Sequence, residues 1–164
     1  MKRCLLVKTL FLSVLILMLA GCATSAERAA QRAETAKKVA AALADRHYKI
    51  DITMMNARRG VSRHVSDFTL EVKGDTLVSY LPYFGWAYQV PYGGGKGLNF
   101  TERIGSYEEQ QLKQGHERIV MQVKNEEDFY IFRLEVFDNG QVSIDVLPRE
   151  REPISYLGEL DLDV

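Results

Sequence analysis

Phe129-Tyr130-Ile131-Phe132-Arg133-Leu134-Glu135-Val136-Phe137-Asp138-Asn139-Gly140-Gln141-Val142-Ser143-Ile144-Asp145-Val146-Leu147 decides how this chain folds. Tyr130, Phe132, Leu134 and Val136 fall on alternate positions, as do Val142, Ile144 and Val146, and a period of two marks a strand with one buried face. Between the two runs stands Asn139-Gly140, a pair that accepts positive φ at both central positions of a tight turn. The spacing therefore predicts a β-hairpin with these apolar side chains on one face.

The same alternation recurs on either side. Glu117 to Lys124 alternates too, and the acidic turn Asn125 to Asp128 joins it to the hairpin. Tyr48, Ile50, Ile52 and Met54 face one way against Lys49, Asp51 and Thr53; Phe68, Leu70 and Val72 alternate with Thr69, Glu71 and Lys73, and Gly74-Asp75 is a two-residue turn into Thr76 to Leu81. Met55 to Asp67, polar and basic with Arg58, Arg59, Gly60 and Arg63, reads as a loop. Pro148 to Pro153 is a charged interruption before a last apolar series of Ile154, Tyr156, Leu160 and Leu162.

Ahead of the strands, Thr24 to Arg46 is rich in the helix formers Ala, Glu, Lys, Gln and Arg. Its stripe of Ala26, Ala29, Ala33, Ala36, Ala40 and Leu43 has helical spacing. Alanine buries little area, so only the Val39 to Leu43 end is expected to dock strongly, and the near end reads as a stalk rather than a coiled coil. The expected fold is α+β, mostly β: an N-terminal helix followed by an antiparallel meander of about seven to nine strands, able to curl into an open barrel.

Lys2, Arg3 and Lys8 precede an apolar run from Leu10 to Ala20, the layout of a secretory signal. The run is shorter than the roughly 20 apolar residues of a membrane span. Leu19-Ala20-Gly21-Cys22 resembles the bacterial lipoprotein signal, which implies cleavage before Cys22 and acylation of that residue. Two or three acyl chains, at about 0.8 kcal/mol per buried methylene, anchor a protein stably. The expected organisation is a lipoprotein signal peptide at 1–21, an acylated N-terminus and Ala-rich helix or stalk at 22–46, and a single antiparallel β domain at 47–164.

Cleavage would leave 143 of the 164 residues, one domain's worth. It would also remove three of 21 basic residues and no acidic ones, leaving 18 against 22 and a net charge near −4. That balance gives no electrostatic case for nucleic acid. With Cys4 lost and Cys22 acylated, no thiol remains for a disulfide, a metal or nucleophilic catalysis.

The most unusual composition lies between Tyr80 and Gly97, which holds the only Trp of the chain and four of its eight Tyr. If extended, Phe84, Trp86, Tyr88 and Tyr92 point one way and Tyr83, Ala87 and Gln89 the other, while Pro82, Pro91 and the glycines favour turns or an edge. Aromatic rows more often complete a core. The functional reading is that Tyr83, Trp86, Tyr88 and Tyr92 form a ligand surface, because rigid rings with polar tips bind at low entropic cost. Gly93 to Gly97 with Lys96 lacks the glycine spacing and the Ser or Thr of a phosphate-binding loop.

No catalytic set stands out. His47, His64 and His116 are scattered without metal-ligand spacing, so no metal or other cofactor is expected. No G-x-S-x-G occurs. Asp51, Asp67 and Asp145 would make a carboxylate hydrolase only by converging across a cleft.

Ser79-Tyr80-Leu81-Pro82-Tyr83-Phe84-Gly85, with Ala87-Tyr88 and Val90-Pro91-Tyr92-Gly93-Gly94-Gly95-Lys96-Gly97-Leu98-Asn99-Phe100, resembles the signature of an exported bacterial family catalogued as domain of unknown function 4251, found mainly in Bacteroidetes. Tyr48-Lys49-Ile50-Asp51, Met55-Asn56 and Ile154-Ser155-Tyr156-Leu157-Gly158 extend the likeness over roughly residues 35 to 160. The resemblance implies an envelope lipoprotein with a small, mostly β domain and brings no catalytic residue. Surface-exposed lipoproteins of that group tend to carry acidic residues just after the cysteine. Ala23-Thr24-Ser25-Ala26 has none, which favours an outer-membrane anchor facing the periplasm. The leading expectation is a noncatalytic domain, attached to the membrane through its lipid, that binds an envelope protein, a glycan or a peptide. A purely structural lipoprotein and a carboxylate hydrolase are the alternatives, and oligomeric state is left open.

Overall fold

The computed structural model describes residues 23–88, 97–112 and 115–162. The signal segment, Cys22, Tyr92 and the Gly93-to-Lys96 run lie outside the described residues. Among the described residues one helix, α1 (Ala23–Ala44), precedes eight strands: β1 (His47–Ala57), β2 (Arg63–Lys73), β3 (Thr76–Leu81), β4 (Leu98–Gln111), β5 (His116–Lys124), β6 (Phe129–Phe137), β7 (Gln141–Pro148) and β8 (Ile154–Asp161). Each strand pairs antiparallel with the next, and β8 returns to β1 from Lys49↔Asp161 to Ala57↔Ile154.

The sheet is thus a closed barrel, where the sequence suggested an open one. Closure comes from the last apolar series, which is long enough to pair along nearly all of β1 and so removes both free edges. One position on this seam needs glycine, since a Cβ on Gly158 would sit 2.5 Å from the Asp51 carbonyl oxygen.

The deciding hairpin forms in the anticipated register, with Val136↔Val142, Leu134↔Ile144 and Phe132↔Val146 as partners. Gly140 at φ 87° and Gly74 at φ 60° take positive φ, but Asn139 and Asp75 do not, so the Asn139-Gly140 turn lacks the positive φ expected at both central positions; Gly140 instead closes a turn in which its N–H donates to Phe137 O. Eight strands give an interior just wide enough for side chains to fill. Ile50, Leu70, Leu77, Ile119, Met121, Phe132, Leu134 and Ile144 fill it.

Two stretches differ from the sequence reading. The loop expected from Met55 to Asp67 shrinks to residues 58–62, because a bulge between Ile52 and Met54 turns Met55 into the core while Arg63 and His64 pair along the barrel wall. β4 was not anticipated as a strand. It buries only Leu98 and Ile104 and turns Glu102, Glu108 and Glu109 to partial or full exposure, so its alternation is hidden by polar residues.

The chain forms two compact units, residues 1–34 and Thr35–Val164. In the first, residues 25–34 are helical and exposed. In the second, Val39 and Leu43 of α1 join the barrel core, the end expected to dock. The helix stops where Arg46 takes φ 50° and its carbonyl accepts from Gly74 N at 2.8 Å. Among the described residues no helix is long and apolar enough to cross a membrane.

Candidate functional site

Pro82 to Tyr88, which follow β3, lie against the connection between β7 and β8 at one end of the barrel. Backbone bonds hold them there: Tyr88 N donates to Glu150 O at 2.7 Å, Glu152 N to Trp86 O at 2.9 Å, and Ala87 bridges Arg151. Tyr83 turns inward and its hydroxyl donates to Glu152 O at 3.0 Å, while buried Tyr156 donates to Pro82 O at 2.6 Å. Burial raises the pKa of both phenols, and both stay neutral donors near neutral pH.

With Tyr83 turned in, the alternate positions turn out. Phe84, Trp86 and Tyr88 are 59%, 69% and 64% exposed. A shallow cavity of about 250 Å³ opens beside Phe84 and Trp86, walled by Ala57 at the end of β1, by Arg59 and Gly60 after it and by Glu152. Glu152 is buried, with Oε1 3.1 Å from Arg59 Nε and Oε2 accepting from Trp86 N at 3.4 Å. The Arg63 guanidinium lies 5.1 Å from the Phe84 ring centroid.

Beneath this ledge is a buried ionic clamp. Arg151 Nη2 donates to Glu127 at 3.3 Å and Nη1 to Gly97 O at 3.3 Å, and Nε lies 3.4 Å from Asp128 Oδ2 without hydrogen-bond alignment. Asp128 accepts from the backbone N–H of Phe129, Arg149 and Glu150 at 2.7, 3.0 and 3.1 Å. The carboxylate thereby fixes both connections at this end, and the ledge rests on a rigid base.

The predicted ligand residues divide accordingly. Trp86 and Tyr88 share the exposed face, Tyr83 supports it from below, and Phe84 joins them. Glu152 and Arg151 were not singled out from the sequence, where the charged interruption from Pro148 to Pro153 was the available signal; Asp128, expected as solvated charge in the acidic turn Asn125 to Asp128, is instead buried because its carboxylate accepts from three backbone N–H groups beside Arg151.

Asp51, Asp67 and Asp145 stand apart. Asp51 meets Lys49 at 3.1 Å on β1, Asp67 accepts from Ser66 Oγ at 3.0 Å on β2, and Asp145 accepts from Ser155 Oγ at 2.6 Å on β7. None of them lines the aromatic cavity. His47 and His64 are exposed at separate places, and His116 tilts against Phe137 at 4.4 Å. Among the described residues no three His, Cys, Asp or Glu side chains gather in a way that could hold a metal ion. A second crevice, of about 570 Å³, lies between Lys38, Ala42 and Asp45 of the α1 end and Tyr48, Lys49 and Asp161 of the barrel. Its charges are of both signs, and Asp51 and Asp161 raise the pKa of Lys49.

These features define a small closed β-barrel with a packed interior and an aromatic face at one end. The chain belongs to the family described as Domain of unknown function (DUF4251), whose model matches residues 30–160. A crystal structure of a DUF4251 family protein from Bacteroides eggerthii DSM 20697 has a similar fold, with 14% sequence identity, a TM-score of 0.59, and coverage of 77% of this chain and 86% of that one. No curated protein matches the chain. The family assignment and the Bacteroides relative agree with the resemblance carried by Ser79 to Phe100.

Proposed function

We propose that this protein is a lipid-anchored envelope protein, held through Cys22 at the outer membrane and facing the periplasm, whose barrel presents an aromatic ledge for a glycan, a peptide or an envelope protein. The observation that carries the reading is the outward row of Phe84, Trp86 and Tyr88 over a cavity, on a segment that hydrogen bonds fix in place. Exposed rings of this size cost solvation free energy unless a ligand covers them, and clustered exposed aromatics mark binding surfaces. The anchor is supported by Leu19-Ala20-Gly21-Cys22.

Trp86 is the only tryptophan, so its emission reports on the ledge alone. Titration with a panel of neutral glycans and peptides is expected to shift that emission for at least one member. Trp86→Ala is expected to abolish binding of that member while changing stability by no more than about 0.5 kcal/mol, the usual range for an exposed site. Unchanged emission across the panel, with empty pull-downs from envelope extracts, would refute the binding role. For the anchor, labelled palmitate is expected to enter the wild type and not Cys22→Ala.

A further inference from the structure

Pairing β8 with β1 closes the wall but leaves two stretches of strand with a neighbour on one side only. β3 is shorter than the strands beside it, so β2 from Arg63 to Phe68 and β4 from Gly105 to Gln111 run past its ends, and among the described residues no strand covers them there. The two edges differ. β2 bulges between Met54↔His64 and Ile52↔Phe68, with Asp67 at φ 66°, which breaks the repeat that an added strand needs. β4 shifts only at Gly105, and from Ser106↔Gln122 to Gln111↔Glu117 its register is unbroken. Leu112 N donates to His116 O at 2.8 Å, and bonded and non-bonded pairs alternate along an antiparallel ladder. Tyr107, Glu109 and Gln111 therefore turn their backbone N–H and C=O groups away from β5, towards the open side.

This edge is charged in one sense. Glu108 and Glu109 are exposed, and Glu117 lies diagonally from Glu109 across the β4–β5 pair. Among the described residues none of the three makes an ion pair, and the neighbouring Arg118 is taken by Glu135 at 2.8 Å. Arg46, 4.2 Å from the Tyr107 ring centroid, has Asp75 as its partner at 4.0 Å. Burial raises the pKa of Glu117, and the hydrogen bond and charge of Glu109 raise it further, so a cation alongside would relieve the pair. Strand edges are commonly blunted by lysine or proline, and Ser106 to Gln111 contains neither. Its glutamates disfavour a second copy, because two-fold pairing centred on the edge sets Glu108 and Glu109 against the same two residues. We propose that Ser106 to Gln111 is a docking edge for a basic strand of a partner polypeptide, which adds to β4 through the backbone of Tyr107, Glu109 and Gln111 and sets lysine or arginine beside Glu108, Glu109 and Glu117. The edge is at the end of β4 remote from the aromatic ledge, since Leu98 at the other end pairs with Leu81 just before Pro82, and it is independent of the role proposed for the ledge.

The test titrates the full chain, by calorimetry, with end-blocked peptides of about eight residues: a lysine–threonine peptide, its copy with glutamate for lysine, and the lysine peptide N-methylated at every residue, which keeps the charge and removes the backbone donors. The lysine peptide is expected to bind at least about tenfold more tightly than either control, and added salt is expected to narrow its lead over the glutamate peptide. It is also expected to slow amide hydrogen exchange at Tyr107, Glu109 and Gln111 by at least about tenfold while leaving Trp86 emission unchanged. The double variant Glu108→Gln/Glu109→Gln, verified as folded by its circular dichroism melt, is expected to bring the lysine and glutamate peptides close to parity. Equal binding of those two by the wild type, or an unchanged preference in the double variant, overturns the basic partner. Equal binding of the N-methylated peptide means attraction by charge alone and overturns strand addition. Protection of Arg63 to Phe68 instead, or a shift of Trp86 emission, places the peptide elsewhere and overturns the assignment. Dimerisation of the protein alone, with the same three amides protected, gives the edge to a second copy and overturns it too. Silence towards all three peptides overturns the docking edge and leaves the ledge to its own titration.

Discussion

Arg151 shows how one residue can hold a site it does not belong to. Its guanidinium is almost fully buried, with Glu127 and Asp128 as its compensating charges. Removing one partner of a buried pair strands the other in a poorly solvating interior, which costs about 3–5 kcal/mol. Arg151→Ala is therefore expected to lower unfolding free energy by that order in urea titrations. It should also weaken ligand binding by loosening Ala87 and Trp86, which pair with the backbone of 151 and 152. A loss under about 1 kcal/mol would mean that the backbone bonds, rather than the ion cluster, hold the ledge. The sequence could not show this partnership. Arg151, Asp128 and Gly97 meet only once three separate connections are stacked at one end of the barrel, and nothing in their local spacing encodes that meeting. Trp86, by contrast, announced itself by composition, although its exposure did not.

Between elements, legibility followed the chemistry of the face turned outward. The β6–β7 hairpin could be read directly because Arg133, Glu135, Ser143 and Asp145 alternate cleanly with its buried row. β4 could not, because near its end Glu108 and Glu109 adjoin Gln110 and Gln111, and the polar run masks the period of two. The same strand creates a like-charge contact. Glu109 and Glu117 face each other diagonally across β4 and β5, where Glu109↔Ile119 and Gln111↔Glu117 are partners. Burial, followed by the hydrogen bond and charge of Glu109, raises the pKa of Glu117 from its ordinary value. The folded protein then holds this proton more tightly than the unfolded chain, so the pair costs stability as pH rises from the ordinary carboxylate range through the raised pKa. Glu117→Gln is expected to raise Tm at about pH 7, with the gain shrinking towards about pH 4, where the wild-type carboxyl is already protonated. Thermal melts at both values check the sign; a Tm that falls in the variant at neutral pH contradicts it.

At the scale of the molecule, the alternating strands implied a meander but left its closure undecided, since pairing between β1 and β8 is a contact between distant parts of the sequence. That seam, with Lys49 beside Asp161, has a consequence for engineering. A ring of staves has no first member, so the order in which the ribosome makes them is one choice among several. Joining residue 162 to Thr35 through a flexible linker of about ten residues, and opening new termini between Asn139 and Gly140, would permute the gene without changing any neighbour in the wall. The circular permutant is expected to melt cooperatively with the parent's far-ultraviolet spectrum. Its new ends would emerge at the rim opposite the tryptophan, which would make that turn a quiet place to attach a reporter.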